Sequence, residues 1–150
     1  MKRIVAAVLV LALALPAHAA AAKRDYTGAV EAASGSIEFT LKKKKKKGKK
    51  GKTQTVKDFE FRNIPISCTD TTGTTSGRLT FGMRVRKKKF EAAADDGEGS
   101  NLNVKGTLKQ KGKRITGTLR VFGDVPLDPA GEQRGTGCAT GELEWDAARD

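Results

Sequence analysis

Residues 101–121 read NLNVKGTLKQKGKRITGTLRV, and their pattern decides the fold class. Leu102, Val104 and Leu108 precede the central QKGK, Ile115, Leu119 and Val121 follow it, and polar residues alternate with them. A period of two belongs to a strand with one buried face, so the pattern predicts two strands facing each other across a turn at Gln110-Lys111-Gly112-Lys113. Gly-Thr-Leu occurs in both arms, at 106–108 and 117–119, which places a glycine at an inward position of each strand. Inward glycines mark a place where a sheet coils or where a neighbour approaches its backbone closely.

The same alternation runs outward from this hairpin in both directions. It predicts strands over residues 36–41, with Ile37, Phe39 and Leu41 on one face, over 56–61, with Phe59 and Phe61 together, and over 64–68, with Ile64, Ile66 and Cys68 aligned. Pro65 cannot donate to a ladder, so that strand is expected to lie at an edge or to carry a bulge. Leu79, Phe81, Met83 and Val85 predict one long strand, followed by a turn at Arg86-Lys87-Lys88-Lys89 and a short alanine-rich segment. A last strand over 138–145 turns Leu143 and Trp145 inward, and Tyr26 and Gly28 suggest a first one. Loops are expected at 42–52, 70–77, 95–101 and 124–137. About eight short strands with little helix predict an all-β antiparallel fold, a β-sandwich or a small β-barrel.

Ahead of this domain, Met1-Lys2-Arg3, an apolar run over residues 4–15, Pro16 and Ala17-His18-Ala19 have the layout of a cleavable signal helix. The reading is a Sec signal peptide at 1–19, cut near Ala19 (Ala21 and Ala22 being alternatives), then a single secreted β domain at 20–150. The apolar run is too short to cross a bilayer as a helix. Without a cysteine at the cleavage region or a second apolar span, the expected product is secreted or periplasmic. Removing the leader removes His18, the sole histidine. Histidine-dependent hydrolase triads, zinc sites built on histidine and histidine pH switches are thereby excluded. Cys68 and Cys138 both remain, and an oxidising compartment is expected to join them in a disulfide, the alternative being two free thiols. Neither has a C-x-x-C partner.

The order Tyr26-x-Gly28, Ile64-Pro65-Ile66-x-Cys68, Val104-x-Gly106, Ile115-x-Gly117-Thr118-Leu119 and Cys138-x-x-Gly141-x-Leu143-x-Trp145 resembles small secreted bacterial all-β proteins of uncharacterised function. The resemblance implies export, an all-β fold and a cysteine pair near the middle and the C-terminal strand. It implies no activity. A lysine run sets this sequence apart from that pattern.

That run comprises Lys42, Lys43, Lys44, Lys45, Lys46, Lys47, Lys49, Lys50 and Lys52. After the leader the chain carries 27 basic and 17 acidic residues, a charge of +10, which falls to +1 without these nine. Such a loop is either a solvated turn that keeps an edge from aggregating or a polycationic finger for anionic envelope polymers or an anionic membrane surface. Lysine without interleaved aromatics argues against sequence-specific nucleic-acid binding. The shorter run Arg84, Arg86, Lys87, Lys88 and Lys89 could extend the basic patch, although Arg84 and Arg86 alternate with Met83 and Val85 and read as the wet face of a strand. Asp95-Asp96-Gly97-Glu98-Gly99-Ser100-Asn101 is oxygen-rich, but its spacing fits no EF-hand and an ordinary acidic turn is expected. Glu31, Glu38, Glu60, Glu142 and Glu144 would supply a carboxylate-dependent hydrolase, yet no spacing selects a pair. The reading is therefore a non-enzymatic binding module without cofactor or metal, the alternatives being a barrel carrier of a small apolar ligand and, third, that hydrolase.

Overall fold

The structure is a computed structural model that describes residues 22–31, 33–45, 51–128 and 133–150. The expected leader and Lys46, Lys47, Lys49 and Lys50 lie outside the described residues. Ten strands form one antiparallel sheet: β1 (Ala22–Val30), β2 (Ser36–Lys45), β3 (Lys52–Ser67), β4 (Thr72–Arg78), β5 (Met83–Arg84), β6 (Lys89–Asp95), β7 (Ser100–Lys109), β8 (Arg114–Pro126), β9 (Arg134–Ala139) and β10 (Leu143–Arg149). The helical content of the described residues is one 3₁₀ turn at Gln110–Gly112.

The sheet curls until it meets itself. β1 pairs β2, β2 pairs β3, β3 pairs β5, β6 pairs β7, β7 pairs β8, β8 pairs β10, and β10 returns to β1. Between β5 and β6 the link is a tight turn in which Arg86 and Lys89 exchange both backbone hydrogen bonds. Of the two architectures the alternation allows, this is the barrel. β4 extends the sheet beside β3, and β9 precedes β10 along the same side of β8. The hairpin at 101–121 has the predicted facing pairs, Leu102↔Val121, Val104↔Leu119 and Leu108↔Ile115.

Elsewhere the strands differ from the predicted ones for identifiable reasons. β3 unites the segments 56–61 and 64–68, because its buried face changes phase from Val56 to Phe59 and again from Phe61 to Ile64. Asp58 and Asn63 stand at those breaks with φ of 54° and 55°. Asp and Asn are the side chains that best tolerate the left-handed region, and the extra residue at each makes a bulge that re-aims the strand. Pro65 lies beyond the last β2 pair, Ser36↔Arg62, so no β2 hydrogen bond is lost to it. Residues 72–77 of the predicted loop 70–77, with Arg78, form β4; only Thr75 of its TGTTSGR is buried, so no apolar alternation announces it. The stretch 79–85 is a bend ending in the two-residue β5, with Phe81 46 % exposed, and the alanine-rich segment is β6. β9 and β10 divide the predicted strand 138–145 at residues 140–142, leaving Leu143 half-buried. Lys42 to Lys45 belong to β2 and Lys52 to β3, not to a loop, and of 124–137 the first residues continue β8.

Aromatic side chains from five strands fill the interior. Phe39 stacks on Tyr26 at 5.1 Å between centroids and on Phe59 at 5.7 Å. Trp145 meets Phe39, Phe59 and Phe90 at 5.8, 5.9 and 6.3 Å. The wall opposite these rings is bare, because Gly106 and Gly117 are register partners, with Phe90 beside the first and Trp145 beside the second. A Cβ on Gly106 would lie 2.1 Å from the Phe90 ring, and one on Gly117 would lie 2.4 Å from Trp145. The inward glycines of the sequence are therefore seats for two aromatic rings. The Tyr26 hydroxyl is buried and donates to the Gly112 carbonyl, tying β1 to the β7–β8 turn.

Cys68, directly after β3, is joined to Cys138 of β9. The bond lies beside the Ser67↔Ala139 pair and clips the end of β3 to β9. Gly135 makes room for it, since a Cβ there would stand 2.3 Å from the Cys68 sulfur.

Non-reducing mass spectrometry will find the two cysteine peptides linked. Closing a loop of sequence separation 70 stabilises by about 4 kcal/mol in the chain-entropy model, so Cys138→Ser lowers stability by an amount of that order in urea denaturation. Gly106→Ala forces Phe90 off its seat and costs about 2 to 3 kcal/mol, the upper range for overpacking; an unchanged unfolding midpoint would contradict the seat.

Candidate functional site

Successive connections of an antiparallel barrel alternate between its two ends. The start of β1, the β2–β3 hairpin, the β5–β6 turn, the β7–β8 turn and the end of β10 therefore share one end. The sequence has placed cations there: Lys23 and Arg24 in β1, Lys42 to Lys45 and Lys52 of the lysine run, Arg86 to Lys89, Lys109, Lys111, Lys113 and Arg114 around the β7–β8 turn, and Arg149. The other end collects Glu31, Asp70, Asp95, Asp96, Glu98, Asp124, Asp128 and Glu142. The lysine run is thus one contributor among five. Lys87 and Lys88 occupy the β5–β6 turn, as the sequence reading of Arg86-Lys87-Lys88-Lys89 expects.

Within the run, Lys42 and Lys43 pair with Lys23 and Ala22 of β1 and with Thr55 and Gln54 of β3. The next pairs are Lys44↔Thr53 and Lys45↔Lys52. Strand parity divides the lysines. Lys43 and Lys45 continue the inward face of Ile37, Phe39 and Leu41, while Lys42 and Lys44 face outward. Burial at the barrel mouth, and then the charges of Arg24, Lys52 and Arg149, push the Lys43 ammonium below the ordinary lysine value.

Turn chemistry at this end is also unusual. Lys87 and Lys88 have φ of 48° and 67°, and Lys111 has 57°. A two-residue hairpin with both central residues left-handed favours Asn-Gly, and a longer side chain there costs about 1 kcal/mol or more per residue. Three lysines hold strained positions at one end, where asparagine or glycine would relax the turn.

At the opposite end the acidic turn has its own counter-ion. Asp96 accepts backbone hydrogen bonds from Glu98 at 2.8 Å and Ser100 at 3.0 Å, and its second oxygen pairs with Arg134 at 2.9 Å. Arg134 also reaches Glu98 at 2.7 Å and donates to the Asp124 carbonyl. Arg134 chiefly, with those backbone donors, draws the Asp96 carboxyl down to about 2. Among the described residues no three of His, Cys, Asp or Glu group as a metal site. Of the five glutamates, Glu31, Glu142 and Glu144 border one shallow groove with Trp145, all three exposed. Glu38 and Glu60 border another, and Arg62 lowers the Glu60 carboxyl, the direction opposite to that of a general acid. No helix among the described residues is long and apolar enough to cross a membrane.

Compared with family models, with curated proteins and with solved structures, the chain matches none of them. Its all-β fold and single cysteine bridge agree with the resemblance drawn from the sequence.

The Asp96–Arg134 cluster carries a signed pH dependence. Asp96 has a folded value near 2 against an ordinary 3.8, so its contribution is complete above about pH 4 and is lost as pH falls toward 2. Thermal melts of wild type and Asp96→Asn will differ at pH 6, and the gap will narrow as both are taken to pH 2.

Proposed function

We propose that this is an exported, non-enzymatic barrel module that holds anionic polymers, or an anionic membrane surface, on its cationic end. One observation carries the reading: the antiparallel connectivity brings basic residues from five separated segments to the same end, where Asp25, Asp146 and Asp150 offset only a few of them, while most loop carboxylates lie at the other end. A surface of that kind binds by releasing counter-ions from its partner, and binding weakens steeply with salt. The strained lysines support it, since nothing in the turn geometry favours lysine there. Base-specific readout is not part of the proposal, because Phe81 is the sole exposed large hydrophobic among the described residues and stacking needs several such rings. An interior occupied by Trp145, Tyr26, Phe39, Phe59 and Phe90 favours this module over a carrier of apolar ligands. Export is supported by the cysteine bridge together with the leader pattern.

The test is a salt titration of binding to heparin and to single-stranded DNA. Wild type will show log affinity falling with log salt at roughly −0.7 to −0.9 per phosphate engaged on DNA. Replacing the nine lysines of 42–52 by threonine, which suits the strand positions, will remove most of the affinity and leave the melting temperature nearly unchanged. Replacing Lys87, Lys88 and Lys111 by asparagine will lower the slope further and stabilise the fold by about 1 kcal/mol or more. Wild type that binds neither polymer at physiological salt would refute the proposal.

A further inference from the structure

Four strands reach the cationic end side by side, and their inward positions there carry cations. On β1 the buried Tyr26 is followed outward by Arg24, opposite Leu41. On β2 Leu41 gives way to Lys43, and on β3 the buried Val56 gives way to Gln54 and Lys52. On β10 the buried Ala147 gives way to Arg149, the register partner of Tyr26. None of these positions holds a carboxylate. The acids nearby belong to the outer face: Asp25 accepts from Thr40 at 2.7 Å and pairs with Lys23 at 3.3 Å, and Asp150 accepts from Thr27 at 2.6 Å. The Tyr26 hydroxyl beneath donates its proton to the Gly112 carbonyl and has Arg24 beside its oxygen.

Resting on the polyanion reading above, we propose that Arg24, Lys43, Lys52 and Arg149 form a site at the barrel mouth for a dianionic phosphate group. Strand register and parity bring the four charges to one mouth without an internal counter-ion, and burial first, then the charges of Arg24, Lys52 and Arg149, lower the Lys43 ammonium. A phosphomonoester carries two charges on one tetrahedral centre and offers oxygens to two guanidinium forks and two ammonium groups together. A polycarboxylate delivers its charges singly and spaced, so it cannot neutralise the ring at one point. The outer lysines then serve as a general attraction and the ring as the selective element.

Calorimetry on the full secreted chain tests this with tripolyphosphate and polyglutamate. The variants are Arg24→Gln with Arg149→Gln, Arg149→Gln alone, and a control, Lys87→Asn with Lys88→Asn, that removes two charges off the ring. The double ring variant will lose tripolyphosphate affinity about tenfold or more, the single one part of that, and the control less than about threefold. Polyglutamate binding will fall alike in the double variant and the control. Equal losses of tripolyphosphate affinity in those two variants would overturn the ring while leaving the polyanion reading standing. Failure of wild type to bind either polymer would overturn both. Because Arg149 is exposed, its single variant folds and keeps the comparison valid. Vesicles bearing phosphatidic acid, set against phosphatidylserine vesicles of equal surface charge, identify the phosphate source: selective capture assigns it to a lipid headgroup, and tripolyphosphate binding without capture assigns it to a soluble polymer.

Discussion

Gly106 and Gly117 face one another across the β7–β8 ladder, and the two rings that lie on them set the dimensions of everything else. Aromatic side chains bury more area than any others, but a small barrel has room for several only where the wall itself is thin. Backbone without side chains supplies that room, so Trp145 and Phe90 can lie against β8 and β7 and still touch Phe39 and Phe59 from across the interior. With the interior filled in this way, the sheet closes around a solid plug at a fixed radius. Antiparallel order already fixes which connections share an end; closure draws those connections together around one mouth.

Much of this was legible in the sequence. The hairpin at 101–121 could be read to the register because its two arms alternate cleanly and its turn is marked by Gly112. The glycines could be recognised as special, though not what they seat, since Phe90 and Trp145 come from strands distant in the chain. Cys68 and Cys138 were legible as a pair because no other cysteine competes. β3 was not legible as one strand: a bulge shifts the side-chain phase by one residue, and two bulges at Asp58 and Asn63 turn one strand into apparent fragments. β4 stayed hidden because threonine, serine and glycine at a half-covered edge have no apolar rhythm.

The candidate site was half legible for a related reason. A lysine run is visible in any reading, whereas the convergence of Arg24, Lys52 and Arg149 on Lys43 depends on which strands adjoin and on which side of each strand faces in. Parity along a strand is local information; adjacency around a barrel is not. The β5–β6 turn illustrates the difference: that Arg86 to Lys89 reverse the chain was legible, and their reciprocal hydrogen bonds show it, but which other basic segments the turn stands beside was not. Arg134 is the counterpart at the other end. It lies far along the chain from Asp96 and yet provides the cation that the acidic turn would otherwise take from solution.

A body with opposite charges on its two ends has a dipole moment along the line between them, and a dipole in a field experiences a torque. If the proposed polyanion binding holds, then near a negatively charged wall the barrel would turn cationic end first, with the acidic turns pointing away. The face shown to the surroundings would then be the carboxylate end with the Cys68–Cys138 bridge, and a wall that began with one sign of charge would acquire a new outermost layer of the same sign.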